Sequence, residues 1–368
     1  MRFFTQISEK TTSVFKEMNN YYSLYFKKGS SNLLALDIGS SSIKIFELRK
    51  KQRVLTLIKH KAISLEDDWI AGHRIRNYDA LVDTLAKFVI DNGYEGYDTA
   101  VVVAGPQVVT QILKLPTRFA HYQLKTYIEL EAEKYLPFRI EELAFDYKIL
   151  NNKQKNQDTQ EVLLAAAKKE YINEYIDLIK TVNLNPKVVD VYGCVVNRLC
   201  QQINEPTEDK VVAMIDIGAS VITLSIYKDE HQLYLREFNY GGRELNKMMM
   251  LEYSINETQA EEMKLNVSNC TVDAVRNKFK DILIGQIYQL IHFFYVSVFA
   301  DKIDCVYMFG GTAQLPGLAI ELENKLKLPV KIFNPFIETT VGIHCANNQL
   351  PSTQFTLVYG LSLRNNFV

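Results

Sequence analysis

The stretch LLALDIGSSSIKIFEL, residues 33–48, has the pattern that decides the fold. An apolar run ends at Asp37, a tight turn with Gly39 and three serines follows, and a second apolar run begins. This pattern predicts a strand, a turn large enough for one phosphate group, and a second strand. Glycine lets the backbone approach an anion, the serines offer donors, and Lys44 adds a positive charge. On this stretch alone, an ordinary hairpin turn is the favoured explanation.

The same pattern returns in VVAMIDIGASVITLSIY, residues 211–227. When the two stretches are superposed, the aligned pairs are Asp37 with Asp216, Gly39 with Gly218, Ser41 with Ser220, and Lys44 with Thr223. A repeat of this length favours a phosphate-binding turn over an isolated hairpin. We therefore expect two similar domains that grip one ligand between them.

The composition is that of a globular protein with enough chain for two domains. The 368 residues are 47% hydrophobic and 23% charged, and their formal net charge is −1, which gives no reason to expect a nucleic-acid partner. The five cysteines form no C-x-x-C pair, so we interpret them as reduced core residues of a cytoplasmic protein. The six histidines show no metal-ligand spacing.

Residues 107–186 interrupt the repeat, because the second half has no equivalent at that point. Their pattern of strands and helices predicts a small α+β insert. A helix at about residues 192–201 should then cross between the two halves.

The second half contains two further glycine pairs. Gly241 and Gly242 open a helix, where they can either receive phosphate oxygens or merely permit a sharp turn. Gly310 and Gly311 follow a strand and precede a helix, which suits the approach of a base or sugar, or a plain turn.

Two segments raise the question of a membrane. Residues 1–31 carry an aromatic stripe at near-helical spacing, which fits a helix on a membrane surface; we favour a packed helix or partly ordered arm. Residues 282–300 contain no Asp, Glu, Lys or Arg, but a polar stripe of Gln286, Gln289 and His292 favours an internal helix over a membrane span.

Several longer stretches join the three glycine turns in a resemblance to one protein family. They are LDIGSSSIKIFEL (36–48), IELEAEKYLPFRIEELAFDY (128–147), EVLLAAAKKEYINEYIDLI (161–179), DIGAS (216–220), REFNYGGREL (236–245), FGGTAQLPGL (309–318) and NPF (334–336). The set resembles the superfamily of actin, Hsp70 and sugar kinases, in which two related domains clamp Mg-ATP. Within it, the chain is similar to the PilM family of type IV pilus assembly, itself similar to the division protein FtsA.

The resemblance implies an α/β fold in which duplicated actin-like, ribonuclease H-like domains clamp a nucleotide. The first domain, IA, would comprise residues 32–106 and 187–208, and residues 107–186 would be the FtsA-like extra subdomain IC. Residues 209–368 would form the second domain, IIA, with a IIB insert at about residues 245–300. Residues 1–31 would remain an N-terminal arm whose role is not inherited from the family.

The resemblance also implies a site for ATP or ADP with Mg²⁺. The first phosphate loop would contain Asp37, Gly39, Ser40, Ser41 and Lys44, and the second Asp216, Gly218, Ala219 and Ser220. Asp37 and Asp216 would hold Mg²⁺ through water, and Asp216 would be the catalytic carboxylate. Gly241 and Gly242 would lie near the phosphates. Glu261 and Lys264 would lie near the ribose and adenine, and Gly310, Gly311 and Thr312 would lie against the nucleoside.

The implied partner is the cytoplasmic N-terminal tail of a PilN-like inner-membrane protein, bound in a groove beside the extra subdomain. The apolar surface at residues 135–138 either contributes to that groove or packs internally. The resemblance also implies contacts with other pilus platform and motor proteins, and it leaves self-association open. The protein would lie at the cytoplasmic face of the inner membrane, held there by its partners. In the crossing helix, Tyr192 and Gly193 stand where the superfamily often has a water-positioning acid or Gln, so we expect at most slow ATP hydrolysis. The alternatives are an FtsA-like membrane-associated filament protein or a small-molecule kinase.

Overall fold

The computed structural model describes residues 32–51, 54–117, 121–131, 134, 136–150, 158–203, 209–229, 231–264, 273–298, 302–338, 343–345 and 351–365. The N-terminal arm and Tyr135 lie outside these residues, and so do the predictions made for them.

Short strands alternate with helices along the described chain. The strands are β1 (Asn32–Ile38), β2 (Ser42–Lys51), β3 (Val54–Ser64), β4 (Ile70–Ala71), β5 (Arg74–Ile75), β6 (Asp98–Val103), β7 (Val108–Pro116), β8 (Leu143–Ile149), β9 (Thr159–Lys168), β10 (Asn185–Val191), β11 (Val211–Ile217), β12 (Ile222–Lys228), β13 (His231–Phe238), β14 (Cys305–Phe309), β15 (Val330–Ile332) and β16 (Ile343–Cys345). The helices are α1 (Tyr78–Asn92), α2 (His121–Glu131), α3 (Lys169–Thr181), α4 (Tyr192–Cys200), α5 (Gly242–Tyr253), α6 (Glu257–Lys264), α7 (Asp273–Val298), α8 (Leu318–Leu326), α9 (Pro335–Glu338) and α10 (Thr356–Ser362).

Two mixed sheets form the two halves of the molecule. Within the described residues, the first sheet has the order β10-β6-β1-β2-β3-β16 and the second the order β13-β12-β11-β14-β15. In each, an antiparallel hairpin lies beside a parallel strand, β6 next to β1 and β14 next to β11. The central strands are apolar because helices cover both faces of each sheet. The duplicated sheets confirm the repeat predicted from the sequence.

The insert is a sheet with its own core. Strands β7, β9 and β8 pair antiparallel in that order, and α2 buries Leu124 and Ile128 against them. Leu136 is buried in the same core, so it packs internally rather than forming an exposed surface. Phe138 is partly buried, and the Lys168 ammonium lies 4.8 Å from the centre of its ring.

The C-terminal part of the chain corrects one predicted boundary. Residues 209–368 were expected to stay together, but β16 pairs in parallel with β3 of the first sheet. Helix α10 also returns to the first half, where Val358 and Leu361 join the core beneath β1 and β2. The buried side chains of α10 complete a hydrophobic face that the first sheet alone leaves open.

Helix α4 crosses between the halves, as predicted. It packs against α10 at Gly360, where a Cβ atom would lie 2.7 Å from Cγ of Leu199. The close approach lets the Arg198 guanidinium donate to the Gly360 carbonyl oxygen over 3.1 Å. Only glycine fits there, so the two helices are held at a fixed distance.

Helix α7 packs one face on the core of the second half, as expected for residues 282–298, and leaves Tyr288, Phe293 and Val296 of its other face exposed. Leu283, Ile287, Leu290 and Phe294 are buried in the core of the second half. No helix among the described residues has both the length and the apolar character needed to cross a membrane.

Candidate functional site

The two predicted turns have the same local structure. In the first hairpin Asp37 pairs with Lys44, and in the second Asp216 pairs with Thr223. The Gly39 N–H donates to the Ser42 carbonyl oxygen over 3.1 Å, and the Gly218 N–H donates to the Val221 carbonyl oxygen over 3.0 Å. The sequence repeat is therefore a structural repeat.

The turns face each other across a cleft of about 740 Å³. They meet directly, because the Ser40 hydroxyl donates to the Ser220 hydroxyl over 3.0 Å. The predicted residues that line the cleft are Asp37, Gly39, Ser40, Ser41, Lys44, Asp216, Gly218, Ala219, Ser220, Glu261, Lys264, Gly310, Gly311 and Thr312. Tertiary folding thus brings residues from both halves of the sequence to one cavity.

Two carboxylates lie at the base of this cleft, at the ends of β1 and β11. The Lys44 ammonium lies 3.2 Å from the carboxylate of Asp37. Burial raises the pKa of the Asp216 carboxyl to about 7; the negative charges of Asp37 and Glu237 add to the rise, and Lys44 opposes it. The two negative charges are near enough to repel each other, and a divalent cation would relieve that repulsion.

The glycine pair after β14 holds the second carboxylate in place. Gly310 has a φ of +93°, and a Cβ atom there would collide with the Asp216 carboxylate. The hydroxyl of Thr353 donates to the Gly310 carbonyl oxygen over 2.8 Å, and that of Thr312 donates to the Gly218 carbonyl oxygen over 2.9 Å. This turn therefore supports the second loop as well as lining the cleft.

We expect Gly310→Ala to destabilise the protein by about 2–4 kcal/mol, because it combines an unfavourable φ with a collision against Asp216. Urea unfolding followed by circular dichroism measures the change. Gly285→Ala in the middle of α7 is the control, since no atom lies within 4 Å of the new Cβ. It should stabilise the protein by up to about 1 kcal/mol. Equal effects of the two variants would contradict the account of Gly310.

Gly241 and Gly242 are not among the residues that line the cleft, but Gly242 lies directly behind Thr312 and Lys264, which do. The Gly242 N–H donates to the Gly218 carbonyl oxygen over 3.0 Å, so it is already satisfied. A Cβ on Gly241 would lie 2.6 Å from the carbonyl oxygens of both Gly218 and Ala219. The pair therefore supports the second loop from behind, by allowing α5 to approach it.

Glu261 and Lys264 lie on α6 at one side of the cleft. They form an ion pair over 2.6 Å, and the Asn246 amide donates to Glu261 over 2.8 Å. Burial opposes ionisation of Glu261, but Lys264 and Asn246 outweigh it, so the pKa of the carboxyl is lowered. A carboxylate held ionised beside a cavity is suited to accept hydrogen bonds from sugar hydroxyl groups.

Sequence reasoning missed the side chains that cross the cleft. The Arg243 guanidinium reaches from α5 to the carboxylate of Asp67 over 2.6 Å. The ring of His73, in the turn between β4 and β5, pairs with Glu237 of β13 over 2.9 Å. Arg243 follows the glycine pair directly, and a cation in the first turn of a helix is unfavourable for the helix dipole. That anomaly was the available signal.

Comparison with known families decides the assignment. The sequence profile described as "Type IV pilus assembly protein PilM" matches residues 35–366. The chain belongs to the PilM family. The match covers both halves and the insert, so the PilM assignment holds for the whole described architecture.

Solved structures agree with a PilM fold. A structure named "PilM-PilN type IV pilus biogenesis complex" matches with a TM-score of 0.73 at 21% identity, over 90% of this chain and 98% of that one. The ethanolamine utilization protein EutJ from Carboxydothermus hydrogenoformans matches with a TM-score of 0.55 at 12% identity, over 95% and 97%. MreB5 of Spiroplasma citri bound to AMPPNP gives a TM-score of 0.50 at 10% identity, over 92% and 97%. The fold is a duplicated actin-like fold.

The two carboxylates at the base of the cleft fit the way in which Mg²⁺ binds to proteins. Among the described residues, no group of three or more His, Cys, Asp or Glu side chains is placed to hold a metal. Mg²⁺ commonly binds one or two carboxylates, several waters and the substrate phosphates. Asp37 and Asp216, with their unfavourable proximity, fit that mode of binding.

Proposed function

We propose that this protein is an ATP-binding component of the type IV pilus assembly platform that couples nucleotide state to the binding of a PilN-like partner. The observation that carries the nucleotide part is the pair of hairpin turns with equal register, facing each other across one cleft. Each turn follows a strand that ends at a carboxylate, and one turn belongs to each domain. A polyphosphate between them would hold the domains together.

In this proposal the loops of residues 39–41 and 218–220 bind the phosphates through backbone N–H and serine hydroxyl groups, and Lys44 adds its charge. Asp37 and Asp216 hold the hydrated Mg²⁺, which would neutralise phosphate charge when bound. Glu261 and Lys264 face the ribose and adenine, and Gly311 and Thr312 face the nucleoside.

Hydrolysis should be slow. Tyr192 is buried at the floor of the cleft, and burial with the nearby charge of Asp216 raises the pKa of its phenol well above the usual range. A neutral phenol is a poor acceptor for the proton of an attacking water. The nucleotide would then act mainly through binding, as a ligand that shifts the population of closed molecules.

The partner site that we propose is a second groove, of about 640 Å³, between the insert and the second half. Its walls are β7 and β13, and within the described residues each is the edge strand of its sheet. An edge strand has backbone N–H and C=O groups that an extended peptide can pair with. The groove lining includes the apolar side chains of Val109, Ile112 and Leu235.

Two contacts connect the insert to the second half at this groove, one from β7 and one from β9. The Gln232 amide donates to the Thr110 hydroxyl over 3.0 Å, and the His231 ring pairs with Glu161 over 2.6 Å. Because one wall belongs to the insert and the other to the second half, any rotation between domains changes the groove width. Nucleotide and partner would therefore affect each other's affinity equally.

Calorimetric titration with a PilN-type N-terminal peptide, with and without Mg-ATP, tests the proposal. We expect binding whose affinity changes with Mg-ATP, and we expect Leu235→Glu to weaken it about tenfold or more by placing a charge in the groove. Ile320→Glu is the control, because Ile320 is an exposed apolar residue on α8 that does not line the groove.

Three outcomes would contradict parts of this proposal. Absence of peptide binding in both conditions would remove the partner assignment. Equal weakening by both variants would move the partner site away from β7 and β13. Pelleting of the protein with Mg-ATP and no peptide binding would favour the filament alternative.

A further inference from the structure

The Arg243 guanidinium joins three parts of the cleft that belong to different domains. It comes from α5 of the second half, and its Nη2 donates to the Ser40 carbonyl oxygen over 2.8 Å. Its Nη1 lies 3.4 Å from the Ser220 hydroxyl, and its Nε lies 2.6 Å from the carboxylate of Asp67. One side chain therefore connects both phosphate loops to the segment that follows β3.

Arg243 is well shielded, whereas its carboxylate partner is not. The Arg243 side chain is 13% exposed and the Asp67 side chain is 48% exposed. An ion pair with one half-exposed member contributes little to stability, so it can exchange for another anion. A phosphate group offers the same guanidinium two oxygens at once and a higher charge.

We propose that Arg243 is a phosphate-operated latch: it closes the cleft through Asp67 when no nucleotide is bound, and transfers to the nucleotide's terminal phosphates when one binds. This inference rests on the proposed nucleotide site. It adds that Arg243 binds the nucleotide's terminal phosphates there and that the Asp67 carboxylate competes with them for Arg243. Nε of Arg243 lies beside the Asp67 carboxylate without a hydrogen bond to it, so this nitrogen is available to a phosphate oxygen in the cleft.

Transfer of Arg243 has a consequence for the rest of the first domain. Asp67 lies in the segment of residues 65–76, which the Leu65 N–H anchors to the Ser41 carbonyl oxygen over 2.9 Å. The same segment carries His73, whose ring pairs with Glu237 of the second half. The segment thus contacts the second half at two points, and the latch controls one of them.

The latch gives opposite predictions for its two members. Asp67→Asn removes the competing charge and should tighten Mg-ATP binding about three- to tenfold, because less of the protein is held in the latched state. Arg243→Gln removes the phosphate contact and should weaken binding about tenfold or more. Asp68→Asn is the matched control, since it removes the same charge at the next residue. The Asp68 side chain is exposed, and among the described residues it forms no ion pair with Arg243.

Titration calorimetry with Mg-ATP, Mg-ADP and Mg-tripolyphosphate measures the affinities. Small-angle scattering of the nucleotide-free proteins gives a second readout, in which both Asp67→Asn and Arg243→Gln should increase the radius of gyration. Asp68→Asn should match the wild type in both measurements. The tripolyphosphate titration isolates the phosphate contact from any change at the base.

Each contrary outcome is specific. If the wild type binds Mg-ATP and Asp67→Asn leaves the affinity within twofold, the latch is overturned while the nucleotide site stands. If Arg243→Gln binds Mg-ATP more tightly than the wild type does, Arg243 only closes the cleft. That result would overturn the proposed transfer of Arg243 from Asp67 to the phosphates. Absence of nucleotide binding by the wild type would overturn the proposed function, and the latch with it.

Discussion

Replacing Asp190 with Ala should destabilise the protein by about 3–5 kcal/mol, because it removes the buried carboxylate that pairs with Arg198 and Arg364. Asp190 is 2% exposed at the end of β10, where the chain enters the crossing helix. Its carboxylate lies 2.5 Å from the Arg198 guanidinium and 3.0 Å from that of Arg364. The loss should appear as a lower urea midpoint for unfolding.

The pKa of Asp190 fixes the pH range of this effect. Burial opposes its ionisation, but the charges of Arg198 and Arg364 outweigh burial, so the pKa is lowered from 3.8. A carboxyl group whose pKa is lowered by folding stabilises the protein at every pH above its ordinary pKa. This stabilisation is lost as the pH falls through the pKa of the folded state. The difference between wild type and variant should therefore be full at pH 7 and shrink below about pH 4.

Asp98→Ala is the control for this experiment. Asp98 begins the neighbouring strand β6, and its side chain is 22% exposed. Its carboxylate pairs with Lys187 over 3.9 Å and accepts a hydrogen bond from the Asn185 amide over 2.6 Å. Its loss should cost less than about 1 kcal/mol. Similar costs at both positions would contradict the claim that Asp190 is the charge that holds the crossing helix and the C-terminal segment together.

Asp216→Asn should weaken Mg-ATP binding about 10- to 100-fold and yet stabilise the nucleotide-free protein at high pH. The folded pKa of this carboxyl is about 7, above its ordinary value of 3.8. A carboxyl group whose pKa is raised by folding does not destabilise the protein below pH 4, where it is neutral in both states. It makes the folded state less stable as the pH rises through 7, because the buried group then becomes charged. Asparagine resembles the neutral carboxyl, so it should avoid that loss.

We expect the variant to be more stable than the wild type by about 1–3 kcal/mol at pH 8 in EDTA, and nearly equal at pH 4. Thermal unfolding across this range gives the comparison. Asp209→Asn, at an exposed position just before β11, should behave as the wild type at every pH. A variant that is less stable than the wild type at pH 8 would contradict the unfavourable burial of Asp216.

The two hairpins show what local sequence can predict. An apolar run, a carboxylate, a glycine turn and a second apolar run determine a strand pair whose side chains alternate, and this pattern needs no distant contact. Helix α1 also depends on local residues, since Asn77 caps its start and Gly93 ends it in the left-handed conformation. The family resemblance extended these local patterns to the cleft as a whole.

Other features depend on residues far apart in the sequence. Nothing local to residues 343–345 indicates that they pair with β3, because a short strand carries no record of its partner. Likewise the unusual position of Arg243 in the first turn of α5 does not indicate its partners, which become known only when α5 is placed beside the first loop and Asp67. The contact between β7 and β13 requires the insert to be docked on the second half.

The sequence by itself determined the repeated glycine turns and the insert between them, because these follow from periodic patterns and local turn chemistry. Its resemblance to known proteins, rather than any single pattern, indicated the actin-like family. The tertiary structure decided which charges face each other. It placed Asp216 against Asp37, Asp190 between two arginines, and Arg243 across the cleft. Electrostatic interactions act through space over a few ångströms, so their partners are fixed only when the domains have packed.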